Sequence, residues 1–245
     1  MAEMDIQKRL FKLEARAEVS NIVGKYSHYL MANAYEEMMN LWADKEDTFI
    51  EIGASGKYIG KERVATYYQK DHIPGKFLLM QETSPVIEIA DDLQSARGLW
   101  LVIANNTDSG EVGTTENIDV DRRVLLSSAL DTGERYTAEW QIQKLGIDFQ
   151  LCEGNWKINH LHIYDVLIAP HDQDWVSYAE KRFSTDGRRI DAMFKSNRPF
   201  AEDKPPENLA SEETRYHWQY QVNKCTELEP LPPMPYEKLD DANRF

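Results

Sequence analysis

The chain has 245 residues, with 42 acidic against 28 basic side chains and a formal net charge of −14. That balance repels phosphate backbones and excludes nucleic acid as a partner, and the longest apolar run, Leu99 to Ala104, is far too short to cross a bilayer. The charged N-terminal stretch lacks a secretory apolar core, and Cys152 and Cys225 suit neither a disulfide framework nor a zinc site, which predicts a soluble, cytoplasmic protein with reduced thiols.

Phe11, Ala15, Val19, Ile22, Tyr26 and Tyr29/Leu30 keep helical spacing and predict a helix from Asp5 to Asn33 with one continuous buried face. Ile6, Leu10, Leu13 and Ala17 form a second stripe on its first half, which calls for a second packing partner: a neighbouring subunit or the protein's own tail. A second helix is read in AYEEMMNLWAD, a strand at Thr48 to Ile52, a turn and short strand around Tyr58, and a third helix in KERVATYYQKDH. From Lys76 the period becomes two. Strands are read at Lys76 to Ile89 and Leu93 to Asn105, joined at Asp91-Asp92. Two more, Arg135 to Cys152 and Asn155 to Ile168, meet at a tight hairpin turn around Glu153-Gly154-Asn155.

Between these hairpins, Asn106 to Gly133 is a long acidic loop. Its length predicts a lid or a contact with a neighbour, with Val124-Leu125-Leu126 as its apolar foot. Beyond Pro170 the chain turns Pro-rich, acidic and aromatic, with only a short helical pattern in Trp175 to Phe194. It holds too few apolar residues for a core of its own. The expected organisation is therefore one domain over 1–169 and an extended arm over 170–245, laid on that domain or on a neighbouring subunit. Arm and two-sided first helix together predict a homodimer or higher homo-oligomer.

The last strand carries Trp156, Ile158, His160, His162 and Tyr164 at alternate positions, which an uninterrupted strand projects to one face. Two imidazoles that follow two apolar anchors are either acid–base groups in a pocket or hydrogen-bonded structural residues. They also have the spacing of a metal pair, but a third ligand is not evident and no metal site is expected. Glu139 and Gln141 alternate with Trp140 and Ile142, so one of these pairs must face inward. No Gly-rich phosphate loop is present.

The segments IVGKYSHYLMANAYEEMMNLWAD, SPVIEIADDLQSARGLWLV and AEWQIQKLGIDFQLCEGNWKINHLHIY resemble the first helix, central hairpin and closing strands of SnoaL-like domains, in the nuclear transport factor 2-like superfamily. The resemblance covers roughly residues 10–168. It implies an α+β cone of three N-terminal helices on a strongly curved, mostly antiparallel sheet, here followed by a long C-terminal arm. It further implies a pocket for a hydrophobic, aromatic or polycyclic small molecule. The activity implied is lyase or isomerase chemistry without metal or organic cofactor, and the alternative is a non-catalytic binding or carrier protein. Tyr26 matches the first-helix tyrosine of the pattern. The dehydratase-type members carry an Asp where this chain has Met31 and a strand His where it has Met80, which makes an Asp/His dyad doubtful. The expected catalytic set is Tyr26, His160 and His162, with Asp148 and Glu139 as further acid–base candidates. Trp42, Tyr58, Met80, Trp100, Glu139 and Tyr164 are expected to bind substrate.

Overall fold

A computed structural model describes residues 2–52, 56–69, 77–109, 136–182, 211–212 and 219–245. The first helix, α1 (Ala2–Ala32), stops where Asn33 adopts a left-handed conformation, φ 55°, and the amides of Asn33 and Ala34 cap the carbonyls of Leu30 and Tyr29. A single turn, α2 (Tyr35–Met39), leads to β1 (Phe49–Ile52), β2 (Gly56–Ile59) and α3 (Lys61–Gln69). Four long strands follow: β3 (Phe77–Ile89), β4 (Ser95–Ser109), β5 (Tyr136–Cys152) and β6 (Asn155–Pro170), then a short α4 (Trp175–Arg182). The β5–β6 turn has Glu153 at φ 50° and Gly154 at φ 78°, the double left-handed geometry that suits a two-residue hairpin.

The six strands form one sheet in the order β2-β1-β6-β5-β4-β3, antiparallel except where β1 runs parallel to β6. The class is the expected one, α+β with three N-terminal helices on a curved, mostly antiparallel sheet. Ala15, Val19, Ile22, Tyr26 and Leu30 of α1 are buried against one face of the sheet, the concave face, in a core shared with Ile50, Trp100, Val102, Leu145, Ile147, Phe149, Ile158, Leu161 and Ile163. Ile6, Leu10 and Leu13, the second stripe, are exposed in the isolated chain.

Two boundaries differ from expectation. Residues 106–109, read as loop, continue β4 and pair with 136–139, because cross-strand hydrogen bonds hold polar residues in a strand as well as apolar ones. The AYEEMMNLWAD helix is only one turn long, and Trp42 beyond it forms a bridge to Ile158. The expected lid and its foot at 124–126, and the last residues of the KERVATYYQKDH helix, lie outside the described residues.

The larger difference is a pair of bulges in β6. Phe149 pairs with Ile158 but Asp148 pairs with His160, so Asn159 is an extra residue; a second shift, between Ile142 and Gln143, makes Val166 extra. An extra residue reverses the alternation beyond it. Trp156 and Ile158 therefore face the helices, whereas His160, His162 and Tyr164 face the opposite, outer side. The single row of five expected on one face does not form.

Described residues of the arm lie along the sheet. The amide and carbonyl of Lys57 in edge strand β2 bond Glu212 and Ser211, the Tyr220 amide bonds the Val166 carbonyl, and the carbonyls of Tyr236 and Glu237 accept the amides of Asp91 and Asp92 at the β3–β4 turn.

Candidate active site

Strand register gathers most of the expected pocket residues on the concave face. Met80 pairs with Ala104, which pairs with Gln141; Trp100 pairs with Leu145, which pairs with Ile163; and Tyr58 pairs with Ile50, all on the helix side of the sheet. Glu139 shares that side and is buried, accepting a hydrogen bond from Gln141 Nε2 at 3.3 Å. Tyr26, Tyr58, Trp42, Met80 and Trp100 all belong to the one buried core. Trp100 lies flat along its own strand; a Cβ at Gly98 would be 2.2 Å from its ring, so only glycine leaves room there.

The polar centre of this face is one that alternation from Met80 could have shown. Glu82, Val102, Gln143 and Asp165 are successive partners across β3, β4, β5 and β6, forming a transverse row. Gln143 Nε2 donates to Asp165 Oδ1 at 2.8 Å, and both side chains are buried. Glu82 stands at the edge-strand end of the row, half-buried, and accepts a hydrogen bond from the Ser27 hydroxyl of α1. Burial pushes its carboxyl up to about 7, with a backbone hydrogen bond opposing the shift. With inter-strand spacing of about 4.8 Å, three steps separate the Glu82 and Asp165 backbones by roughly 14 Å. They are opposite ends of one wall and not a dyad.

Ser27 adjoins Tyr26, whose fully buried phenol is 2.9 Å from that of Tyr68 on α3. Their rings meet edge to face at 6.2 Å, and Tyr68 also packs against Trp42 and Tyr67. A carboxyl poised near neutrality and a phenol pair are thus anchored on the same stretch of α1. Tyr68, Glu82, Gln143 and Asp165 had not been singled out from sequence.

His160, His162 and Tyr164 are not brought to Tyr26. They stand across the sheet, in a second buried cluster. Asp148, wholly inaccessible, takes Arg97 Nε at 3.1 Å, His160 Nδ1 at 3.0 Å and the Phe245 amide at 3.0 Å. The Asn159 amide nitrogen is 2.9 Å from His160 Nε2; donation by that amide leaves Nδ1–H to donate to Asp148. Phe49 stacks on the His160 ring at 4.4 Å, and Tyr164 on His162 at 3.8 Å. Burial drives His162 down to about 4, although Glu51 at 3.5 Å and Asp148 favour its charged form, and burial pushes the Tyr164 phenol up. An imidazole that stays neutral this far into acid is a poor proton carrier near pH 7.

Among the described residues no group of three or more His, Cys, Asp or Glu side chains is placed to hold a metal ion, and no helix is long and apolar enough to cross a membrane. The sequence matches the family model of the SnoaL-like domain over residues 12–162, and the chain belongs to that family. No curated protein matches the sequence. Among solved structures, a type 2 hexachlorocyclohexane dehydrochlorinase (LinA) superposes with a TM-score of 0.51 at 14% identity, over 68% of this chain and 95% of the other. A type 3 LinA from Novosphingobium barchaimii gives 0.49 at 13% identity, over 68% and 96%. A candidate scytalone dehydratase from Novosphingobium aromaticivorans gives 0.49 at 12%, over 69% and 94%. At such identities the likeness is one of fold, and the fold is the nuclear transport factor 2-like cone.

Proposed function

We propose that this protein is a cofactor-independent lyase or isomerase acting on a hydrophobic, aromatic or polycyclic small molecule at the concave face. The observation that carries the proposal is Glu82: a half-buried carboxyl on the helix side of the sheet, with a proton affinity suited to neutral pH, tethered to the helix that holds Tyr26. As a carboxylate it removes a proton from a carbon beside a carbonyl or a leaving group. Beside a carbonyl the electron pair moves to the carbonyl oxygen, where a phenol of the Tyr26–Tyr68 pair donates a hydrogen bond that strengthens as negative charge develops. Beside a leaving group alone the pair forms the C=C bond while the leaving group departs with the electrons of its own bond. Return of the proton to another carbon completes an isomerisation; departure of a leaving group completes an elimination. Trp42, Tyr58, Met80 and Trp100 supply the apolar wall and Glu139, Gln143 and Asp165 its polar rim.

In this proposal Glu82 takes the base role for which His160 and His162 were the sequence candidates. The names of the structural neighbours, a dehydrochlorinase and a candidate dehydratase, are those of elimination enzymes, and they guide the choice of substrates to screen. A panel of aromatic and polyketide-like ketones, diols and chlorinated cycloalkanes is offered to the wild-type protein and to Glu82→Gln, Tyr26→Phe, His160→Asn and His162→Asn. Loss of the base is expected to cut turnover by about two to four orders of magnitude, with Tyr26→Phe impaired less and the two histidine variants near wild type. Turnover by Glu82→Gln at the wild-type rate contradicts the assignment. Tight binding of a panel member without turnover by any protein moves the chain to the carrier class.

A further inference from the structure

Mid-strand glycine is unfavourable unless something occupies the space a side chain would take, and at Gly146 something does. A Cβ there would be 2.8 Å from the ring of Phe245 and 3.1 Å from that of Tyr164. Gly146 pairs with Leu99 on one side and His162 on the other, on the outer face, so it forms the floor of a socket in which the Phe245 ring packs with Tyr164 and Val166. The guanidinium of Arg97 caps that ring at 4.3 Å, and the buried carboxylate of Asp148 takes the Phe245 backbone amide at 3.0 Å. Every recognition element addresses either an aromatic ring or a main-chain N–H. Neither depends on a charged ligand.

A second anchor lies nine residues back. Tyr236 is held through its hydroxyl, 3.2 Å from Ser95 Oγ, and its carbonyl and that of Glu237 pair with the Asp91 and Asp92 amides in the manner of an added strand. Burial pushes its phenol up, although the Ser95 hydrogen bond opposes this. Just upstream, Leu228, Leu231 and Met234 are the most exposed large apolar side chains among the described residues of the arm. The grip is therefore on residues 236–245.

We propose that the outer face of β4–β6 is a peptide-recognition site, specific for a segment that pairs with the β3–β4 turn, folds through a turn at Asp240–Arg244 and sets an aromatic residue in the Gly146 socket, and that residues 236–245 of this chain are its resident ligand. The site is separate from the concave face and independent of the activity proposed there. Its occupant keeps the Asp148–His160–His162 cluster dry.

The probe is a fluorescent, C-terminally amidated peptide copying residues 230–245, titrated into full-length protein. Wild type, whose site is filled, should bind it weakly. Phe245→Ala should bind it about tenfold tighter or more, since one vacated aromatic contact with its cation–π partner exceeds about 1.4 kcal/mol. A peptide with Ala in place of its Phe should lose that gain, and so should the Gly146→Ala/Phe245→Ala protein. Equal binding of the Phe and Ala peptides by Phe245→Ala, or no binding by it, overturns the proposal. Hydrogen exchange gives a second reading without added peptide: the Asp91 and Asp92 amides should exchange faster in Phe245→Ala, and unchanged rates refute the coupling of the two anchors.

Discussion

Acidification should destabilise the protein through His162. Its imidazole is buried with Tyr164 stacked on one face, Glu51 at 3.5 Å and Lys57 and Asp148 in the surrounding field, and desolvation dominates the balance. The folded-state value is about 4 against an ordinary 6.5. Because the folded value is the lower one, the unfolded chain binds the proton first as pH falls. The stability contribution of a neutral His162 is fully present above about pH 6.5, is lost progressively below that, and is gone near pH 4. At about 1.4 kcal/mol per tenfold change in proton affinity, the loss is about 3 kcal/mol, a large share of the 5–15 kcal/mol typical of a folded domain. Glu82 titrates in the opposite sense, so the comparison must be with His162→Gln, which keeps every other group. Urea unfolding of both proteins at pH 7.5, 6.5, 5.5 and 4.5 should show the wild-type advantage shrinking towards acid by most of that amount. A difference between the two proteins that stays constant with pH refutes the reasoning.

Other expectations follow from packing and surface. Gly98→Ala drives a methyl into the Trp100 ring; it should cost about 1–3 kcal/mol by overpacking, read as a lowered denaturation midpoint, and an unchanged midpoint means the ring is free to move away. On the outer face Phe77, Leu101, Ile103, Trp140 and Ile142 are exposed side by side on β3–β5. A patch of that kind on an acidic chain is expected to be covered by a second copy: sedimentation at micromolar concentration should show a homo-oligomer, and Ile103→Lys with Ile142→Glu should shift it to monomer. A monomeric wild type contradicts this. Once a substrate is known, kcat/KM should rise with pH through about 7 as Glu82 ionises, and a profile flat between pH 5 and 8 contradicts a Glu82 base.

Much of the fold was legible because its signals are local. The α1 stripe from Ala15 to Leu30 has helical spacing and is buried as spaced, and the Gly154 turn and the switch to period two at β3 place the hairpins. Tyr26 could also be placed from the helical stripe, whereas alternation showed only that either Glu139 and Gln141 or Trp140 and Ile142 face inward. His160 and His162 could not be placed, because alternation counts every residue, and the bulge at Asn159 adds one that its side chain does not announce. Glu82 was overlooked for a different reason: carboxylates on a strand ordinarily mark the solvent side. Yet it sits two residues from Met80, and period two alone puts both on one face. Gly146 also carried its signal, a glycine inside a long strand, but the ring that fills the space comes from a residue 99 positions away, beyond the reach of any local pattern.

The claim on which the functional account rests is the ionisation of Glu82, and it can be measured without a substrate. Glutamate carboxyls labelled with carbon-13 are titrated in the wild-type protein and in Glu82→Gln, and the one resonance missing from the variant is followed. The account predicts a midpoint of about 7 for that carboxyl. A midpoint near the ordinary 4.5 would leave the concave face without a base poised for neutral pH and would contradict the proposed chemistry.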